Sequence, residues 1–112
     1  MKRIATIVLL GLAPIAAFAQ SAVPEKAAAC AACHGEGGAK PIAPNYPILA
    51  GQYANYLAQA LNEYRSGGRK NPVMAAQAAT LTDADIQVLA QYFSEQEGPL
   101  YTPSLGDAAA QN

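Results

Sequence analysis

Histidine is the scarcest informative residue in this chain: there is one, His34, in 112 residues. A single imidazole cannot supply both nitrogens of a two-histidine metal site within one molecule. Cysteine is nearly as scarce, with two thiols, at Cys30 and Cys33. A C-x-x-C disulfide would close a very small ring and add little stability, so a disulfide-stapled scaffold is a poor reading. Tryptophan is absent, and many of the apolar positions are alanines, which bury little area. A core this thin in large side chains is marginal at this size and needs a staple. Positive charge is also scarce: seven Lys/Arg stand against eight Asp/Glu, which excludes the basic face that nucleic-acid binding requires.

No apolar run reaches the ~20 residues of a spanning helix. The longest begins at Ile4, behind the basic start Met1-Lys2-Arg3, and ends near Phe18. Ala17-Phe18-Ala19 then forms an A-x-A cleavage site, so residues 1–19 read as a cleaved secretory signal and the mature chain as exported to the periplasm. There is no cysteine at the cut to carry a lipid, and no stable membrane anchor is expected. Removing residues 1–19 takes two of the seven basic residues and none of the eight acids, leaving a net charge of −3. The remaining length fits one domain over residues 20–98, followed by a tail over 99–112 expected to be mobile.

What the sequence does contain is Cys30-Ala31-Ala32-Cys33-His34. C-x-x-C-H is the attachment signature of c-type haem. One helical turn sets the two thiols where each can add to a vinyl group of one porphyrin, and the adjacent imidazole falls on the iron. The rival readings are weaker. Zinc wants four N or S donors, these residues supply three, and His34 follows Cys33 too closely for finger spacing. A thioredoxin-type pair belongs after a strand in a βαβ unit, and no such pattern surrounds Cys30. With the lone histidine committed to iron, no Ser/His/Asp relay remains.

The chain around the box reads as all-α. Residues 22–34 predict a first helix with Pro24 in its first turn, ended by Gly35, Gly37 and Gly38. Pro41, Pro44 and Pro47 then forbid regular helix and fix a rigid loop. Tyr53, Tyr56, Leu57, Ala60, Leu61 and Tyr64 fall on one helical stripe, predicting a helix over about 52–65. The tyrosines of that stripe read as pocket wall and core. Residues 69–74 read as a loop containing Pro72, with a possible helical turn over 75–80. Thr82 and Asp85 form a capping-box pair ahead of a last helix over about 83–97, whose inner face carries Ile86, Leu89, Ala90 and Phe93. Arg65, Arg69 and Lys70 form a basic cluster, read first as solvated loop, with propionate pairing or partner docking as sharper alternatives.

A haem iron also wants a second axial ligand. Without residues 1–19 the only methionine is Met74, 40 residues beyond His34. Its thioether is the best donor left; a lysine or tyrosine ligand, or an open site, are the alternatives.

These motifs resemble the class I c-type cytochromes, in particular the short bacterial cytochromes of the c4, c553 and c5 group. The resemblance covers residues 24–97. It rests on Cys-Ala-Ala-Cys-His-Gly at 30–35, Pro44-Asn-Tyr-Pro47-Ile-Leu-Ala-Gly-Gln52, Tyr64-Arg-Ser-Gly-Gly-Arg69, Met74, and the segment from Leu81 to Tyr92. It implies a small cytochrome c fold of three to five helices around one covalently attached haem c, with the first and last helices crossing. It further implies thioethers at Cys30 and Cys33, axial ligands His34 and Met74, and the carbonyl of Pro44 as acceptor for the second imidazole nitrogen. With both axial positions filled, the expectation is a soluble periplasmic one-electron carrier and not an enzyme. It would be a monomer, exchanging electrons with donor and acceptor proteins, membrane respiratory complexes among them. Two alternatives stand beside it: a haem subunit of a multi-subunit dehydrogenase, and a haem sensor with a displaceable sixth ligand.

Overall fold

A computed structural model describes residues 22–103; the signal expected over residues 1–19 and the end of the tail lie outside the described residues. Four α-helices are present there and no strand: α1 (Ala27–His34), α2 (Ala54–Ser66), α3 (Pro72–Ala78) and α4 (Asp83–Ser94).

α1 begins five residues later than the sequence predicts. The Pro24 carbonyl accepts from the Ala27 N–H at 2.9 Å, so residues 24–27 form a turn ahead of the helix. α4 starts where its capping box predicts. The Thr82 side chain accepts from the Asp85 N–H, while the Asp85 carboxylate accepts from the Thr82 N–H at 2.8 Å. α2 stops at Gly67, which takes the left-handed conformation with φ +84°.

α2 and α4 form the widest helix pair, with Leu57 and Ala58 packed in one cluster with Ile86, Leu89, Ala90, Tyr92 and Phe93. The Tyr92 and Phe93 rings meet edge to face, 5.0 Å between centroids. α1 joins the same cluster through buried Ala27 and half-buried Cys30. Lys26 ties the start of α1 to the start of α4, its Nζ donating to Asp85 Oδ2 on that helix and to the Thr80 carbonyl just before it.

The proline loop is sewn to both outer helices by backbone bonds. Ile42 N–H donates to the Cys33 carbonyl, Leu49 and Ala50 N–H both donate to Gly38, and Gly51 N–H donates to Phe93. The described start of the tail is bonded to the chain that follows the proline loop. Thr102 Oγ1 donates to the Gly51 carbonyl, and the Tyr53 hydroxyl donates to the Pro103 carbonyl. Tyr53 is therefore a tail clasp and not pocket wall.

Candidate functional site

The site grows from the last turn of α1. Cys30 and Cys33 are one helical turn apart, both half-buried and free, and they line the same cavity as His34. Burial pushes the Cys30 thiol up, opposed by a weaker backbone hydrogen bond, so the thiol rather than the thiolate dominates at neutral pH.

Gly35 turns the chain directly after His34, at φ +83° and ψ 163°, a region essentially reserved for glycine. A Cβ there would lie 2.1 Å from the Lys40 carbonyl oxygen. This reversal brings the proline loop back over the imidazole. His34 is 4% exposed, and its Nδ1 lies 2.7 Å from the Pro47 carbonyl oxygen. A carbonyl can only accept, so Nδ1 carries a proton, and in the neutral ring the lone pair is then on Nε2. The Tyr46 ring stands edge-on to the imidazole at 6.1 Å.

The acceptor is thus Pro47 and not the expected Pro44. Ala43 accepts from the Tyr46 N–H at 3.1 Å, closing a turn with Pro44 at its corner. That turn places Pro44 with Pro41 and Ile42 around a separate shallow surface hollow, and the chain meets His34 three residues later.

Met74 also differs from expectation in its setting: it lies in the first turn of α3, not in a loop. Asn71 caps that helix, its side-chain oxygen accepting from the Val73 and Met74 N–H groups at 3.0 and 3.1 Å. Pro72 occupies the first helical position, where a missing N–H is harmless. Met74 lines the cavity that Cys30, Cys33 and His34 share.

That cavity has a volume of about 440 Å³, within the roughly 300–1,000 Å³ usual for cofactor pockets. Leu57, Leu61, Leu89 and Phe93 supply apolar wall from α2 and α4, Ile48 and Leu49 from the proline loop. Tyr56, Tyr64 and Arg69 also line it. The Arg69 guanidinium sits 5.7 Å from the Tyr56 ring centre and 5.4 Å from that of Tyr64, and its Nε donates to Glu63 at 3.1 Å. Hydrogen bonding from Gln59 is the largest effect holding the Glu63 carboxyl below its usual range, with Arg69 adding to it. The basic cluster read from sequence is dispersed: Arg65 turns to the start of α4, Arg69 to the cavity, and Lys70 is exposed.

Two thiols, an imidazole and a thioether on one apolar cavity are the donor set a haem c needs, and the space fits a flat apolar macrocycle. Among the described residues, no cluster of three or more His, Cys, Asp or Glu could hold a bare metal ion.

Comparison with known proteins bears on the same residues. A family profile described as "Cytochrome C oxidase, cbb3-type, subunit III" matches residues 17–93. The chain is 43% identical over 76 residues to cytochrome c-554(548) of Halomonas halodenitrificans, covering 65% of this chain and 90% of that protein. It is 42% identical over 96 residues to a thiosulfate dehydrogenase electron acceptor of Thiomonas intermedia, covering 85% of this chain but 44% of that longer protein. Among solved structures, thiosulfate dehydrogenase of Marichromatium purpuratum superimposes with a TM-score of 0.56 at 36% identity, over 72% of this chain and 18% of that one. A profile spanning most of the sequence and a relative matched almost end to end agree, and the chain belongs to the class I monohaem c-type cytochromes, which bind haem c through a C-x-x-C-H box.

Proposed function

We propose that this chain is a one-electron carrier of an exported electron-transfer pathway, with Cys30 and Cys33 as thioether attachments and His34 and Met74 as the axial pair. The observation that carries this reading is the shared cavity, which gathers all four side chains from α1 and α3 between apolar walls. When bound, haem c supplies reversible exchange of one electron at its iron.

The chain's own residues do the rest. His34 presents Nε2 with a lone pair because the Pro47 carbonyl holds the Nδ1 proton. That bond also fixes the ring plane and raises the basicity of the donating nitrogen. Met74 offers a soft, neutral sulfur, which favours the reduced metal and raises the potential. The leucines and Phe93 keep water from the cavity, disfavouring extra positive charge in the oxidised state. Were His34 and Met74 both to hold the iron, the protein would leave no coordination position for substrate, so this reading is transfer and not catalysis.

Residues 1–19 are the export signal in this reading and residues 20–98 the haem-binding domain, in the periplasm; no described helix is long and apolar enough to cross a membrane. Likeness to a protein named as a thiosulfate dehydrogenase electron acceptor makes a thiosulfate-oxidising dehydrogenase the first donor to try.

The test is an optical spectrum and intact mass of the protein exported in a host that matures c-type cytochromes. Added haem mass and absent free thiols are expected. A colourless product with two titratable thiols would end this reading. In the matured protein, Met74→Ala lowers the midpoint potential and opens the ferrous form to carbon monoxide. An unchanged potential and continued exclusion of carbon monoxide would assign the sixth position to another residue.

A further inference from the structure

The segment that carries Met74, residues 67–82, contains a single buried residue, Ala78. α3 within it has seven residues, well short of the ~12–15 an isolated helix needs to hold itself in water. Its position therefore depends on its packing against α2 and on restraints at its two ends, both of which reach α2. At the near end, the Arg69 N–H donates to the Glu63 carbonyl at 3.1 Å. At the far end Lys26 holds the Thr80 carbonyl and Leu81 packs against the core, while one side chain of α2 closes the loop on itself. Arg65 Nη1 donates to the Leu81 carbonyl at 3.0 Å, and Nη2 donates to Asp83 Oδ1 and to Asn62 Oδ1 at 2.9 Å. Arg65 thus spans the last turn of α2 and the first of α4, closing the neck of the loop whose middle presents Met74.

We infer that Arg65 is a positioning residue for Met74, a latch that sets how often the sulfur leaves the sixth position on the iron. This rests on the axial role proposed above. The planar guanidinium reaches three acceptors at once, with one of them a backbone carbonyl that cannot rotate away. Releasing it removes the closure at Arg65–Leu81, and a larger share of the cost of ordering the loop then falls on Met74 ligation. The Asp83 limb adds least, because Asp83 is largely exposed.

The test is imidazole binding to the ferric holoprotein, followed with the far-red absorption of methionine-ligated ferric haem, at temperatures well below unfolding. Arg65→Gln is expected to raise imidazole affinity about tenfold and to weaken the far-red band. Arg65→Lys, a point charge able to hold one acceptor at a time, falls between Gln and wild type and carries the test if Arg65→Gln fails to mature. Asp83→Asn changes the affinity by less than about threefold. A lowered melting temperature with imidazole affinity and far-red band at wild-type values in both Arg65 variants would overturn the latch, leaving Arg65 a structural residue. Met74→Ala is the reference. If it opens to imidazole while the Arg65 variants do not, the latch alone fails; if it binds no better than wild type, the axial assignment fails and the latch with it.

Discussion

Two parts of this molecule flank the same cavity and are held by different forces. α2 and α4 meet through Leu57, Ala58, Ile86, Leu89 and Ala90, all nearly or fully buried, so dispersion and exclusion of water hold them. The 67–82 segment opposite has Ala78 alone in that state and depends on Asn71, Arg65, Lys26 and the Glu63 carbonyl at its edges. One flank of the cavity is therefore built as a wall and the other as a strap held at its edges. A wall fails globally when a side chain is deleted; a strap fails locally.

The strongest way to break the contrast is Ile86→Ala, which empties a fully buried position off the cavity. It is expected to lower unfolding stability by about 2–5 kcal/mol in a denaturant titration of the holoprotein, while the methionine optical signature stays intact until the whole transition. Early loss of that signature would show the two regions to be one cooperative unit. A smaller effect is expected from Asn71→Ala, which removes the cap of α3 and costs about 1 kcal/mol. It should speed amide exchange over residues 73–78 and leave the α4 amides at their wild-type rates. The smallest is acid-dependent. The hydrogen bond from Lys26, then those from Thr82, lower the Asp85 carboxyl from 3.8 to about 2. A depressed pKa stabilises the fold above the unfolded value and loses that contribution as pH falls through the folded one. The stability gap between wild type and Asp85→Asn should therefore close between about pH 4 and pH 2; a gap that persists at pH 2 would contradict this assignment.

The same division governs what could be read from sequence. α2 and α4 were legible because burial imposes a periodic stripe, and the Thr82–Asp85 pair marks a helix start by its spacing alone. The attachment box was legible because covalent geometry leaves no freedom in its spacing. The strap was not, since its contacts join residues 16 and 18 apart through long polar side chains, which leave no periodic trace. One signal was available there: Asn71-Pro72 is a cap followed by a first-turn proline, enough to predict a helix carrying Met74. Pro47 left none. Three prolines in seven residues each offer a carbonyl, and only the turn at Ala43–Tyr46 decides which one faces His34.

That carbonyl has a further implication. Every amino acid carries the same main-chain oxygen, so no single codon change at position 47 can delete the partner of His34. Removing that bond takes a change that re-routes the proline loop, such as a side chain at Gly35, where a Cβ would lie 2.1 Å from the Lys40 carbonyl oxygen. The imidazole's partner thus survives any substitution at its own position, whereas each side chain that holds the Met74 segment can be lost singly.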